Sequence, residues 1–220
     1  MNTTNEKTTS VWLVEDNAMF SMGVQRAVDS FGTMACTGCF SSVEAAFDSL
    51  DKNPAPDVIL LDVQLPGMDG ITALETFRDR APDARVIILT VFDDADKIFR
   101  AVCAGASGYI LKNSGIDQIS DAIQQVMDGG APMTPEVAKK VLDAFARREP
   151  AKDSDEDYNL TEREQDILRL MADGLLKKEI ADSLDISVHT VSSHMRRVYG
   201  KLHVNTNTGA VAKALREGII

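Results

Sequence analysis

The sequence predicts a doubly wound α/β domain on a five-stranded parallel sheet, followed by a small all-α domain. Three observations predict it. Short apolar runs begin near Val11, Met34, Val58, Arg85 and Gly108, at steps of 23, 24, 27 and 23 residues. Segments with helical spacing lie between them, such as Met19, Val24, Ala27, Val28 and Phe31. After residue 160 the apolar positions repeat at helical spacing alone. Runs that are apolar on both faces and alternate with helices belong to a parallel sheet covered on both sides. Five such units fit right-handed crossovers in one sheet.

Composition narrows the class. The chain has 220 residues, 34 acidic and 23 basic, and three cysteines. That length allows one large domain or two small ones. Three cysteines cannot form a disulfide framework. No apolar run approaches the roughly 18 residues of a membrane span. The start, Met1–Ser10, is polar and lacks the apolar core of a secretion signal. The expectation is a soluble cytoplasmic protein without a membrane partner.

The net charge of −11 is unevenly spread. Residues 1–149 carry 22 acids and 13 bases, a net of −9; residues 150–159 carry −3; residues 160–220 carry nine bases and eight acids, a net of +1. Within 187–216 there are five bases (Arg196, Arg197, Lys201, Lys213 and Arg216) and no acid. Such a patch suits a polyanion, although a solvated helix face would give the same count. The acidic stretch Asp153–Asp157, just after Pro150, lacks apolar periodicity and repels itself, so it reads as a linker. The expected units are 9–130, a linker with one helix over 131–159, and 160–220.

In doubly wound sheets ligands sit at the carboxyl ends of the strands. Here the first run ends in Glu15-Asp16-Asn17, the third in Asp62, the fourth in Thr90 and the fifth in Lys112. Any one of these could simply cap a helix. Together they offer three carboxylates, a hydroxyl and an ammonium to one point. Crowded carboxylates repel unless a cation joins them, and Mg²⁺ suits carboxylate, phosphate and water ligands. A carboxylate is also a nucleophile that can form an acyl phosphate. Asp62 is the best placed, ending the central strand before the turn-rich loop Val63–Gly70. Lys112 would neutralise the incoming phosphoryl group and Thr90 would hydrogen-bond it.

These residues resemble a known family. Glu15-Asp16-Asn17, Asp62 within LLDVQLPGMDG, Thr90, and Lys112 after Gly108-Tyr109-Ile110-Leu111, spaced 46, 28 and 22 residues apart, look like the flavodoxin-like receiver domain of two-component response regulators. The resemblance covers roughly 9–130. It implies that Asp62 accepts a phosphoryl group from a sensor histidine kinase. It implies Mg²⁺ held by Asp16, Asp62 and the carbonyl of Gln64, with Glu15 acting through water. Tyr109 would be an aromatic switch that turns inward when Thr90 moves. Asn113 departs from the proline common after the lysine. An aspartate-nucleophile phosphatase would need a second acid where Gln64 stands, so no turnover on external substrates is expected.

Cys36-Thr37-Gly38-Cys39 is a C-x-x-C motif. Within a strand, alternation sends the two thiols to opposite faces, which argues against redox or zinc chemistry. Cys103 is expected in the core.

The C-terminal segment opens with a capping box, Thr161 to Glu164, ahead of Ile167, Leu168, Leu170 and Met171. Helices follow over about Lys177–Leu184, Ser187–Leu202 and Thr206–Glu217, and two helices joined by a tight turn suggest a helix-turn-helix. On the third helix Val188, Val191, Met195, Val198 and Leu202 form one stripe at 100° per residue and are expected in the core. His189, Ser193, Arg196 and Arg197 lie opposite, with Ser192 at the edge and His194 at the boundary, which suits a helix in the major groove.

Leu160-Thr161-Glu162-Arg163-Glu164, Lys178-Glu179-Ile180-Ala181, Ile186-Ser187, Thr190-Val191 with His194, and Lys201-Leu202 closely resemble the LuxR-type DNA-binding domain. With the receiver in front, the chain resembles a NarL/FixJ-type regulator. That implies a homodimer on promoter DNA, with Ser192, Ser193, Arg196 and Arg197 facing the duplex and Lys178 and Thr190 on its backbone. Ser192 and Asn207 replace positive residues common in the family, so affinity per subunit and salt dependence should be low. The helical segment Thr134–Arg148 should lead into the acidic linker, and the −9 receiver should cover the +5 patch until it is phosphorylated.

Overall fold

In a computed structural model, residues 8–147, 158–204 and 206–220 are described. The acidic linker lies outside them. The α/β domain runs β1 (Thr9–Val14), α1 (Ala18–Ser30), β2 (Met34–Phe40), α2 (Val43–Leu50), β3 (Val58–Leu61), α3 (Gly70–Arg80), β4 (Arg85–Thr90), α4 (Ala95–Cys103), β5 (Gly108–Leu111) and α5 (Ile116–Met127). The sheet order is β2-β1-β3-β4-β5, and every pair is parallel.

Strand alternation divides the apolar residues between two layers. Trp12, Val14, Ile59, Leu61 and Ile88 face one layer, packed with Phe47, Leu74, Phe77 and Ile98 from α2, α3 and α4. Val11, Leu13, Val58, Leu60, Ile87 and Leu89 face the other, with Val24 and Val28 of α1 and Ile119 and Ile123 of α5. All four residues of β3 are buried, as a central strand requires. Side-chain caps fix where helices start: Asn17 accepts from the Phe20 amide, and Asp69 accepts from the Ile71 and Thr72 amides. The strand order reverses between β1 and β3, so the crevice above them is the expected ligand position.

Strand β2 departs from simple alternation. Val11 pairs with Cys36 but Trp12 pairs with Gly38, leaving Thr37 as an extra residue. This bulge resets the pleat. The expectation that Cys36 and Cys39 point to opposite faces is therefore wrong: their sulfurs lie 3.4 Å apart. Burial, followed by the neighbouring Cys39, pushes the Cys36 thiol up to about 12. Cys103, expected in the core, is half-buried.

Helix α6 (Pro135–Arg147) packs on α4, with Val137 fully buried in the same core. Pro135 occupies its first position, where no amide hydrogen is needed. Lys140 Nζ holds the Asp93 carboxylate at 2.7 Å.

The helical domain contains α7 (Glu162–Ala172), α8 (Lys177–Leu184), α9 (Val188–Leu202) and α10 (Asn207–Arg216). It has its own core of Ile167, Leu168, Met171, Ile180, Val191, Met195, Val198 and Leu202. Glu164 is buried, accepts from the Thr161 amide at 2.9 Å and pairs with Lys201 at 2.7 Å. Val188, expected in the core, is 41% exposed. It is the first residue of α9 after the Ser187 cap and lies at the helix end, and Val191 is the first of the stripe to be fully buried.

The two domains touch. Helix α10 packs against α4. Thr208 Oγ1 donates to the Ala106 carbonyl, and Asn207 Nδ2 donates to the Gly129 carbonyl at 3.3 Å.

Candidate functional site

Glu15, Asp62 and Lys112 meet at the carboxyl ends of β1, β3 and β5. Lys112 Nζ lies 2.5 Å from Glu15 Oε2 and 2.7 Å from Asp62 Oδ2. Both acids are buried, and Asp16 is exposed beside them. Carboxylate oxygens of the three acids lie within 4.8 Å of one another. The backbone holds them in place: Asp62 Oδ1 accepts from the Val63 amide at 2.7 Å, and Glu15 Oε1 accepts from the Asn17 amide at 3.0 Å. Gly70 presses on this loop, where a Cβ would stand 2.0 Å from the Asp62 carbonyl oxygen.

The electrostatics follow from crowding. Burial raises the Glu15 carboxyl above its usual range against the pull of Lys112, and the Asp62 charge adds to the rise. Burial opposes the Lys112 charge too, but its hydrogen bonds to Asp62 and Glu15 outweigh this and raise its pKa. Three carboxylates against one ammonium leave negative charge in excess. The all-oxygen donor set fits a hard divalent cation.

The remaining expected residues stand around this centre. Thr90 is fully buried, and its Oγ1 accepts weakly from the Phe92 amide at 3.5 Å. Tyr109 is fully buried, already turned inward, and its hydroxyl donates to the Phe92 carbonyl at 2.8 Å. Burial, then the charges of Asp62, Asp93 and Asp94, raises its phenol. Gln64 is exposed in the loop after Asp62. Phe20 was not anticipated: its ring lies 5.0 Å from Lys112 Nζ and helps to hold the ammonium. A residue on the first turn of the helix after the acidic pair was the available signal.

On α9, His189, Arg196 and Arg197 are exposed, and Thr190, Ser192, Ser193 and His194 are half-buried. Lys178 is exposed on α8. Thr190 is tied to the Ser187 cap at 2.8 Å, and Ser193 Oγ donates to the His189 carbonyl at 3.0 Å. The helix thus presents guanidinium and imidazole donors free of carboxylates. Ser192 and Arg196 line a cleft whose far wall is the α/β domain at Pro82, Arg85, Ser107 and Gly129.

Comparison with known proteins agrees with both halves. Residues 11–124 match the response regulator receiver domain, and residues 158–214 match the bacterial regulatory proteins of the luxR family. The transcriptional regulatory protein LiaR of Bacillus subtilis is 34% identical, with 96% of this chain and 98% of that protein aligned. DegU of Brevibacillus brevis is 30% identical over 97% and 96%. The crystal structure of the response regulator ChrA from a heme-sensing two-component system is 30% identical, covers 97% of this chain and 99% of its own, and has a TM-score of 0.51. The chain therefore belongs to the response regulators of two-component systems. Its helical domain makes it a transcription regulator of the NarL/FixJ type, with a LuxR-type DNA-binding domain.

Proposed function

We propose that Asp62 is the phosphoacceptor and that its charge state governs DNA binding. A carboxylate oxygen of Asp62 attacks the phosphorus of a phosphohistidine on a sensor kinase. The P–N bond breaks, and the departing imidazole takes up a proton. Lys112, already 2.7 Å from Asp62, stays beside the new phosphoryl oxygens, and Thr90 supplies a hydroxyl to them. Glu15, Asp16, Asp62 and the Gln64 carbonyl would hold Mg²⁺, which neutralises phosphoryl charge when bound. Water later releases the phosphate, so the chain is a switch and not a turnover enzyme on external substrates. The observation that carries this reading is Lys112 bridging Glu15 and Asp62 beside Asp16.

The output is a homodimer on promoter DNA in the cytoplasm, with Ser192, Ser193, Arg196 and Arg197 facing bases and Lys178, His189 and Thr190 near the backbone. Before phosphorylation the receiver stands over part of this face, because Ser192 and Arg196 front the cleft between the domains. Phosphorylation shifts the balance between closed and open arrangements. With a small phosphodonor and Mg²⁺, mass spectrometry should find one added phosphoryl group on the chain and none on Asp62→Asn. Label retained by the variant would remove Asp62 from its role. Fragment 155–220, which contains the whole helical core, should bind DNA more tightly than the unphosphorylated full chain; equal affinity would remove the masking.

A further inference from the structure

The cleft between α9 and the receiver encloses about 430 Å³. Three cations from distant parts of the chain line it: Arg85 at the start of β4, Lys177 at the start of α8 and Arg196 on α9. Asp83 is the one acid in the lining, and it is exposed. Among the described residues, no carboxylate forms an ion pair with any of the three cations. They sense one another: burial, then Arg85 and Arg196, lowers the Lys177 ammonium. The lysine stem lies against Gly129, where a Cβ would stand 2.9 Å from its Cε.

Two polar groups lining the cleft, one from each domain, lack hydrogen-bond partners. Ser107 is 5% exposed, and its Oγ is buried without a hydrogen bond. Asn207 spends its amide nitrogen on the Gly129 carbonyl, while its Oδ1 is buried without a hydrogen bond. Buried polar atoms left unmatched are uncommon and mark a missing partner. One is a hydroxyl that can donate to an anion; the other accepts and needs a donor.

We propose that this cleft binds a pyrophosphate group, free or carried by a nucleoside, which clamps the receiver onto the DNA-binding domain. Three like charges across a closing interface repel, and a multiply charged phosphate turns that repulsion into attraction from both sides. Guanidinium groups match phosphate oxygens with paired donors. The cleft volume lies in the range of small-ligand sites and exceeds what a single phosphate needs. A nucleoside adds hydroxyl and amino donors for Asn207 Oδ1, which bare pyrophosphate lacks. The ligand occupies Arg196, so it competes with DNA. This site rests on the closed arrangement proposed above.

The test is calorimetric titration of the full unphosphorylated chain with sodium pyrophosphate and, separately, with ADP, both in EDTA. One site per chain is expected, weakened about tenfold by Arg85→Ala, which removes a charge-assisted contact and leaves the DNA face intact. Tighter binding of ADP assigns the nucleoside-borne source, and equal binding the free one. The unfolding midpoint of Arg85→Ala is checked, and Lys177→Met serves as the second variant. Either probe should weaken DNA binding by the wild type, and about ten times more probe should be needed for the same effect on Arg85→Ala. No heat with either probe, or binding untouched by both variants, overturns the site. The double variant Asn207→Ala with Thr208→Ala separates the two readings. If it raises DNA affinity while the wild type binds neither probe, the clamp fails and the closed arrangement stands. If it leaves DNA affinity unchanged, the closed arrangement fails.

Discussion

At the carboxyl ends of the strands, Lys112 lies within 2.7 Å of two carboxylates, whereas between the domains Arg85, Lys177 and Arg196 share a cleft without a paired acid among the described residues. The first cluster joins unlike charges, two of its acids are buried, and it lies within one domain. The second joins like charges and forms only where two bodies meet. Paired charge holds a site's geometry steady. Unneutralised charge makes an arrangement easy to open and responsive to what enters it.

The most severe test of this contrast is Lys112→Met. It leaves Glu15 and Asp62 buried without their cation and should cost the receiver about 3–5 kcal/mol in Mg²⁺-free buffer. The single tryptophan, Trp12, sits in the receiver core and reports urea unfolding of that domain alone. A loss below about 1 kcal/mol would mean that pairing does not hold the cluster, since exposed pairs give that much. Gly70→Ala should follow at about 1–3 kcal/mol, because the added methyl meets the Asp62 carbonyl. It should also slow phosphoryl uptake by moving that residue, and unchanged uptake would show that the loop yields elsewhere.

On the other side of the comparison, Arg196→Ala should weaken specific DNA binding by about 1–3 kcal/mol if the side chain reads a base. A flatter salt dependence with unchanged specificity would assign it to phosphate instead. The smallest effect is expected from Glu164→Gln, about 1 kcal/mol, because its partner Lys201 is partly exposed. Burial disfavours the Glu164 carboxylate, but Lys201 and the Thr161 amide outweigh this and lower its pKa. Its contribution is thus complete above the ordinary glutamate value of 4.5 and fades as pH falls through the lowered folded-state value. Denaturation of the helical domain followed from neutral to acid pH should show the wild type converging on the variant.

Sequence reading reached the receiver site because Glu15, Asp16, Asp62, Thr90 and Lys112 each end or follow a strand, and parallel strands bring such ends together. It reached the exposed face of α9 through helical period. It failed where one residue breaks a period, as Thr37 does between the two cysteines, and where a helix outruns its neighbours, as at Val188. Contacts between domains left no periodic trace. Asn207 looked like the loss of a positive charge, yet its amide donates to a carbonyl 78 residues away in sequence.

That contact has a genetic consequence. Both docking donors, Asn207 and Thr208, belong to the DNA-binding half, and both acceptors are main-chain oxygens at Ala106 and Gly129. Exchanging a receiver side chain leaves its peptide oxygen in place. A screen for alleles that switch on without any stimulus should therefore gather at codons 207 and 208, whereas a side chain at Gly129, whose backbone is left-handed and lies against Lys177, would act by straining the main chain itself.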